Sequence, residues 1–371
     1  MRKLASVLVG LGTAFVVVEL LSSVVLLYRY RFSHPGPDRF QHEPSSLSSV
    51  NLVIKAARLA GLLDSVETRT EYRHQTVPAP FRIEDSVYGY VANPGRYQHT
   101  YQRRDASDEP WRSFRVQATI NADRSRWTGR EPLPGARNVW ILGDSFTFGS
   151  GVNDEQTYAF QLQHARPDLN VRLFALGGYS LAQAYLRVLS LRDQIGADDW
   201  VVLGYADFYD LRHVAAPSHL RRVNRWRTRW NADSVQLWFR VPRVTLDAAG
   251  SPAFDYVLED CANNAGYCEQ DDPEQAYQTR VTATLVNAIA AMTPARVFLL
   301  HFDGKADNPV FAQIDPRVER ISALPEDFDY FIRDDVEGFD AHPGPYWHYA
   351  ISRRLLDALP AKKARQQASV P

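Results

Sequence analysis

Cysteine is scarce in this sequence, and neither sign of charge dominates it. With two cysteines in 371 residues, the chain has too few for a disulfide-rich scaffold or a four-cysteine zinc site. Lysine and arginine number 42 and aspartate and glutamate 43, so the formal net charge is −1. Nucleic-acid-binding proteins usually carry a marked basic excess, and this balance argues against that class. At 45% hydrophobic and 23% charged residues, the composition excludes a largely disordered chain.

One long hydrophobic run stands at the N-terminus. Residues 4–28 read LASVLVGLGTAFVVVELLSSVVLLY. As a helix, this run would be about 37 Å long, enough to cross a hydrocarbon core of about 30 Å. No small-residue cleavage site follows it, which predicts an uncleaved signal anchor over residues 1–31. Glu19 lies inside the run, and an ionisable group at that depth indicates either a partner helix or a neutralised carboxyl group.

The two cysteines, Cys261 and Cys268, stand close together in the polar stretch CANNAGYC. A disulfide between them would place the bulk of the chain in an oxidising compartment. Two free thiols in a loop are the alternative, because spacing alone does not establish a bridge.

The rest of the chain divides into segments that differ in composition and in hydrophobic periodicity. Residues 32–75 combine a proline- and charge-rich linker with a short amphipathic helix. Residues 76–135 carry period-2 patterns such as SFRVQATIN, which indicate a β-rich accessory segment. Over residues 136–360 short buried strands alternate with helices, which predicts a parallel sheet with helices on both faces. Residues 213–272 interrupt this alternation as an insertion, and residues 361–371 are predicted to be a disordered tail.

Three segments of this α/β region carry residues suited to catalysis at the carboxyl ends of the strands. Ser145 follows a buried strand in ILGDSFTFGSG, where the backbone N–H groups of a turn can stabilise an oxyanion. The second segment, LFALGGYS, carries Gly177 and Gly178, which let backbone amides approach a ligand. The third, GFDAHPGPYW, offers His342 as a base and Asp340 as the carboxylate that orients it. Taken singly, these residues also fit a helix cap, a tight turn and a structural histidine.

The GDSF block that begins at Gly143 and Asp144, the glycine of ALGGYS and the DAHP block together resemble the SGNH (GDSL-type) hydrolases. The resemblance covers about residues 138–358 and implies a flavodoxin-like three-layer α/β fold, with a Ser–His–Asp mechanism that needs no metal or cofactor. It implies Ser145 as nucleophile, His342 as general base and Asp340 as its orienting carboxylate. The backbone N–H groups of Ser145 and Gly178 would be the oxyanion donors.

One motif departs from the family pattern. The family's third block is normally Gly-x-Asn-Asp, and the matching stretch here is Gly204-Tyr205-Ala206-Asp207. Ala206 therefore stands where an asparagine side chain would donate to the oxyanion. Losing one such donor typically lowers turnover by about 10²–10³. Either Tyr205 or Tyr209 replaces it, or the enzyme is slow, or the domain binds a ligand without catalysis.

The anchor and the β-rich segment also resemble membrane-tethered bacterial members linked to envelope polysaccharides. We therefore expect a single-pass protein of the bacterial inner membrane, held by residues 4–28, with its catalytic domain in the periplasm or outside the cell. The expected activity is that of an esterase or O-acyl (acetyl) transferase on an acylated glycan or a small ester. The alternative is a non-catalytic carbohydrate-binding or assembly subunit, partnered through Glu19. The stretch RRVNRWRTRWN fits an acidic glycan, anionic headgroups or a solvated surface.

Overall fold

The computed structural model describes residues 71–104, 110–230, 238–302, 307–323 and 342–359. The predicted anchor with Glu19, the amphipathic helix, the tail and Asp340 lie outside these ranges, as do the side chains of Trp226 and Trp230. Within the described ranges, no helix combines the length and the apolar character that crossing a membrane requires.

The chain forms two compact units. The first comprises Met1–Glu71 and Arg103–Trp111, and the second comprises Tyr72–Gln102 and Arg112–Pro371. The candidate catalytic residues and most of the predicted β-rich segment belong to the second unit.

Five strands precede the main sheet. They are β1 (Glu71–Val77), β2 (Arg82–Asp85), β3 (Gly89–Ala92), β4 (Gly95–Arg104) and β5 (Arg112–Ile120). The first sheet has the order β1-β4-β5, while β2 and β3 form an antiparallel hairpin. In β5, Val116, Ala118 and Ile120 are buried, as the period-2 pattern predicts for a strand with one covered face.

The α/β region follows in alternating order. Its elements are β6 (Arg137–Gly143), α1 (Ser145–Phe148), α2 (Tyr158–Ala165), β7 (Leu169–Ala175), α3 (Leu181–Leu191), β8 (Trp200–Tyr205), α4 (Tyr209–His213), α5 (Pro217–Trp230), β9 (Arg240–Leu246), β10 (Pro252–Leu258), α6 (Ala265–Cys268), α7 (Gln275–Met292), β11 (Arg296–His301), β12 (Glu319–Ser322) and α8 (Pro345–Ala358). Short 3₁₀ turns span Asp154–Gln156, Arg192–Gln194 and Pro309–Ala312.

Five of these strands form one parallel sheet in the order β12-β11-β8-β6-β7. Numbered along the chain, the same strands run 2-1-3-4-5, which is the flavodoxin-like order. The prediction of a parallel α/β sheet is therefore confirmed. All residues of β8 are buried, as expected of a central strand that is covered on both faces.

The handedness of the crossover connections determines on which face of the parallel sheet each helix lies. The chain moves from β6 outward to β7 and then back past β6 to β8. Crossovers between parallel strands are right-handed as a rule, and this places α2 and α3 on opposite faces of the sheet. Helix α8 packs on α2, and α7 packs on α3, which completes the two outer layers.

The predicted insertion contains α5, the antiparallel hairpin β9–β10 and the short helix α6. The structure joins Cys261 and Cys268 in a disulfide within this segment.

Candidate active site

The strand order itself marks a crevice. In open parallel sheets, ligands bind outside the carboxyl ends of the strands where the order reverses, here between β6 and β8. Ser145 follows β6 and Ala206 follows β8, so both lie at this point. Gly177 follows β7, the other neighbour of β6, and therefore lies at the same edge.

Ser145 is the first residue of α1, and the preceding Asp144 caps that helix. The Asp144 carboxylate accepts a hydrogen bond from the Phe146 backbone N–H at 2.8 Å, and the Ser145 hydroxyl donates to the same carboxylate at 3.3 Å. Since the first N–H groups of a helix have no partner within the helix, the Ser145 N–H is available to a ligand.

A cation that the sequence analysis missed balances Asp144. The Asp144 side chain is fully buried, and the Arg212 guanidinium lies 2.9 Å from it. Arg212 also donates to the Tyr179 carbonyl at 3.2 Å. The ion pair therefore neutralises the buried Asp144 carboxylate next to Ser145. Through the Tyr179 carbonyl, Arg212 also connects Asp144 to the Gly177–Gly178 turn. The sequence around Arg212 carries no signal that this arginine would pair with Asp144.

The Gly177–Gly178 turn is held by Tyr90 from β3. The Tyr90 hydroxyl donates to the Gly177 carbonyl at 2.8 Å, and the Tyr179 hydroxyl donates back to the Tyr90 carbonyl at 2.5 Å. Gly178 has a φ of +90°, and a side chain there would begin 2.4 Å from the Tyr90 hydroxyl oxygen. Only glycine accommodates both this left-handed backbone and this close contact.

The same hydrogen bond orients an oxyanion donor. The Gly177 carbonyl and the Gly178 N–H belong to one trans peptide, so they point in opposite directions. With the carbonyl bound to Tyr90, the N–H is turned away from that buried ring. Among the described residues, no hydrogen-bond acceptor meets the N–H of Ser145 or of Gly178. Two backbone donors are thus left without an acceptor in the described part of the chain, one on Ser145 itself and one in the turn whose Gly177 lies against the Ser145 side chain.

The motif glycines Gly143 and Gly204 have a steric role. A side chain at either position would begin 2.1 Å from the Thr147 hydroxyl oxygen. The Thr147 side chain therefore fills the space between the ends of β6 and β8, where only glycine leaves room for it.

At the third strand end, Tyr205 is not the oxyanion donor that the sequence suggested. Ala206 is fully buried, and so are Tyr205 and Tyr209. The Tyr205 hydroxyl donates to Asp210 at 2.9 Å, and burial with the nearby Asp210 charge raises the pKa of Tyr205. Burial and then the Asp144 charge raise the pKa of Tyr209. The Tyr205 hydroxyl donates its proton to Asp210, so the idea that Tyr205 replaces the missing asparagine is wrong. For Tyr209 this role stays a prediction.

Asp207 of the same block contacts residues that the sequence analysis did not select. The His301 ring nitrogen Nε2 lies 2.9 Å from the Asp207 carboxylate, and the Asn308 amide donates to it at 2.5 Å. His301 ends β11, the strand that pairs with β8. Adjacent parallel strands bring these residues together, and the contact with His301 links Asp207 to the neighbouring strand end.

His342 reaches the Ser145 turn from the far end of the chain. Its ring packs edge-on against Phe146, the residue after Ser145, with ring centroids 5.6 Å apart. Phe146 also contacts Phe208 and Phe302, which follow β8 and β11. The structure therefore brings together Ser145, the Gly177–Gly178 turn and His342 at the edge where the sequence predicted them.

A scan against protein-family models finds no match, and a search of curated proteins finds none either. Solved structures do match. A member of the lipolytic protein G-D-S-L family from Veillonella parvula has 10% identity and a TM-score of 0.34, covering 60% of this chain and 98% of that one. A lipase from a goat rumen metagenome has 12% identity and a TM-score of 0.33, covering 60% and 98%.

An acetylxylan esterase from Geobacillus stearothermophilus is similar at the same level, with 12% identity and a TM-score of 0.33, covering 62% of this chain and 97% of that one. All three scores are below 0.5. The fold assignment therefore rests on the strand order of this chain, and its function has to be argued from its own site.

Proposed function

We propose that this protein is a serine esterase or O-acyl transferase in which Ser145 is the nucleophile. One observation carries the proposal: Ser145 stands at the reversal point of the sheet, and in the described part of the chain neither its N–H nor that of Gly178 meets an acceptor. His342 supports it, because its ring packs against the residue next to Ser145. An activated hydroxyl next to paired N–H donors is the arrangement that acyl transfer requires.

The proposed reaction has two steps. The Ser145 hydroxyl oxygen attacks the ester carbonyl carbon while His342 takes the hydroxyl proton, and the resulting oxyanion accepts hydrogen bonds from the Ser145 and Gly178 N–H groups. The ester C–O bond then breaks, and His342 gives its proton to the departing alcohol. Asp340 orients the imidazole and stabilises its charged form.

Water or a sugar hydroxyl then attacks the acyl group on Ser145. His342 accepts the proton of the attacking group and returns it to the Ser145 oxygen, which releases an acid or a new ester. We extend the proposal to an ester of an envelope polysaccharide and to a protein anchored in the bacterial inner membrane by residues 4–28, on the strength of the N-terminal sequence. Ala206 means that two donors act where three are usual, so we expect slow turnover.

The test is labelling of the full chain with a fluorophosphonate probe, together with hydrolysis of 4-nitrophenyl acetate. We expect covalent labelling and ester hydrolysis in the parent, because both need an activated serine hydroxyl. Ser145→Ala should abolish both, and His342→Gln should lower both by about 10² or more. Ser251→Ala, an exposed serine in the β9–β10 turn, is the matched control and should behave as the parent.

A second candidate function is a carbohydrate-binding or assembly subunit without catalysis, which the buried Ala206 favours. An unlabelled parent that resembles Ser145→Ala would support this candidate and contradict the esterase proposal. A labelled parent that releases no acid but acetylates an added oligosaccharide would identify a transferase. Mass spectrometry of the oligosaccharide distinguishes these outcomes.

A further inference from the structure

An arginine from the β2–β3 hairpin lies beside the proposed nucleophile. Arg82 begins β2 and pairs in register with Ala92 of β3. Its guanidinium lies over the Tyr90 ring, 5.1 Å from the ring centroid. Tyr90 is the residue that holds the Gly177 carbonyl, so one side chain supports both the proposed oxyanion turn and this cation.

The position of Gly177 gives an upper limit on the distance between the Arg82 guanidinium and the Ser145 side chain. A side-chain carbon placed on Gly177 would lie 2.9 Å from the Arg82 Nη2 atom and 3.7 Å from the Ser145 Cβ atom. The guanidinium and the Ser145 side chain are therefore separated by no more than the sum of these distances. When an ester carbonyl lies at Ser145, a small substituent on that ester can therefore reach the Arg82 guanidinium.

Arg82 has no anionic partner among the residues that the structure describes. Within them it makes no hydrogen bond or ion pair, and its side chain is half-buried. The neighbouring charges are paired, since Asp144 binds Arg212 and Asp154 binds the buried Arg126. A half-buried guanidinium without a counter-charge is costly, and an anion that enters the crevice would gain from it.

We propose that Arg82 binds an anionic group, a carboxylate or a phosphate, on the alcohol part of the substrate. The inference rests on the proposed function and narrows its substrate to acidic esters. The planar guanidinium presents two parallel N–H groups that match two oxygens of such an anion. Arg82 is therefore a specificity residue: it positions the ester through its charged neighbour and does not touch the reacting bond.

The experiment compares two esters that differ in one charge. The full chain is assayed with 3-acetoxybenzoate and with its neutral methyl ester, and the readout is the ratio of the two kcat/KM values. We expect the parent to prefer the anion. Arg82→Gln should lower this ratio by about 10- to 100-fold, mainly through KM, as expected for a hydrogen bond to a charged group. Arg82→Lys should keep part of the preference.

Two further comparisons test whether the effect depends on the position of the arginine and on the kind of anion. Arg192→Gln removes an exposed arginine just before β8 begins, at the opposite edge of the sheet, and should leave the ratio unchanged. A phosphate arm uses 3-acetoxyphenyl phosphate, and a preference for it over 3-acetoxybenzoate would identify phosphate as the recognised group. Added salt should reduce the preference.

A direct binding measurement separates this proposal from the catalytic one. Calorimetry of Ser145→Ala with each ester reports the charge preference without turnover. A chain that is labelled by fluorophosphonate but shows no charge preference would overturn the anion site alone. A chain that binds the anion selectively through Arg82 but is not labelled would overturn the proposed catalysis alone. Equal losses on both esters in Arg82→Gln would show that Arg82 is only structural.

Discussion

The Tyr90 hydroxyl is a single group on which the geometry of the proposed oxyanion donors depends. It binds the Gly177 carbonyl, and its ring is packed against Tyr179 and Phe239 at centroid distances of 5.3 and 4.8 Å. Because the ring is fully buried, removing the hydroxyl alone should leave the packing in place. The effect of the hydrogen bond can thus be measured separately from that of the ring.

We expect Tyr90→Phe to lower kcat for 4-nitrophenyl acetate by about 10-fold with little change in KM. The reason is that the Gly178 N–H loses its fixed direction but is still present, so the loss should be smaller than the 10²–10³ of a missing donor. Tyr88→Phe removes a comparable hydroxyl hydrogen bond, to Ser190, away from the turn and is the control. A change in melting temperature without a change in kcat would mean that Tyr90 has a structural role only.

At the scale of elements, Arg126 connects the loop after β5 to the segment that follows the nucleophile helix. Its side chain is fully buried and lies 2.8 Å from the Asp154 carboxylate. It also donates to the carbonyls of Phe148, Gly149 and Val152 at 2.6, 2.9 and 2.8 Å. These carbonyls lie at and beyond the end of α1, so one guanidinium satisfies several backbone groups that have no partner in the helix.

We expect Arg126→Ala to lower the free energy of unfolding by about 3–5 kcal/mol, because it leaves a buried carboxylate without its partner. Urea denaturation of the full chain measures this loss. Arg317→Ala breaks a pair with Asp315 whose arginine is largely exposed to solvent, and it should leave the free energy of unfolding nearly unchanged. Similar losses in the two variants would contradict the view that burial determines the value of the ion pair.

At the scale of the whole molecule, two buried histidines couple stability to pH. His213 accepts a hydrogen bond from the Leu181 N–H at 3.1 Å, and its other nitrogen contacts Thr282 at 2.8 Å. His348 accepts from the Tyr158 N–H at 3.3 Å. Burial lowers the pKa of each to about 3. Both rings are therefore neutral in the folded protein at ordinary pH.

The free energy of unfolding should fall as the pH drops from about 6.5 toward 3. Below about 6.5 each histidine takes up a proton in the unfolded chain but not in the folded one, which costs up to about 1.4 kcal/mol per pH unit per histidine. Urea denaturation at several pH values measures the slope. His348→Gln should make it shallower, whereas His164→Gln, an exposed histidine, should not. Equal slopes in His348→Gln and the parent would contradict this assignment.

Much of the fold followed from local patterns. The alternation over residues 136–360 predicted short buried strands, and those that precede Ser145 and Ala206 are β6 and β8. The four-residue strand β12 was not predicted, because so short a segment carries no distinct periodicity. The suggestion that Tyr205 donates to the oxyanion failed for a different reason. Closeness in sequence to the third block did not reveal that the Tyr205 hydroxyl donates to Asp210.

The alternation of strands and helices in the sequence was enough to tell which strand ends meet. Parallel strands all have their carboxyl ends at one edge of the sheet, so the residues after β6, β7 and β8 lie there. The flavodoxin-like order of the strands was implied by the resemblance of the motifs. The surroundings of that edge depend on how distant segments pack. Tyr90, Arg82 and Arg212 come from a hairpin and a helix with no periodic relation to Ser145, and their contacts depend on packing between distant segments. Long-range side-chain contacts of this kind leave no local pattern in a single sequence.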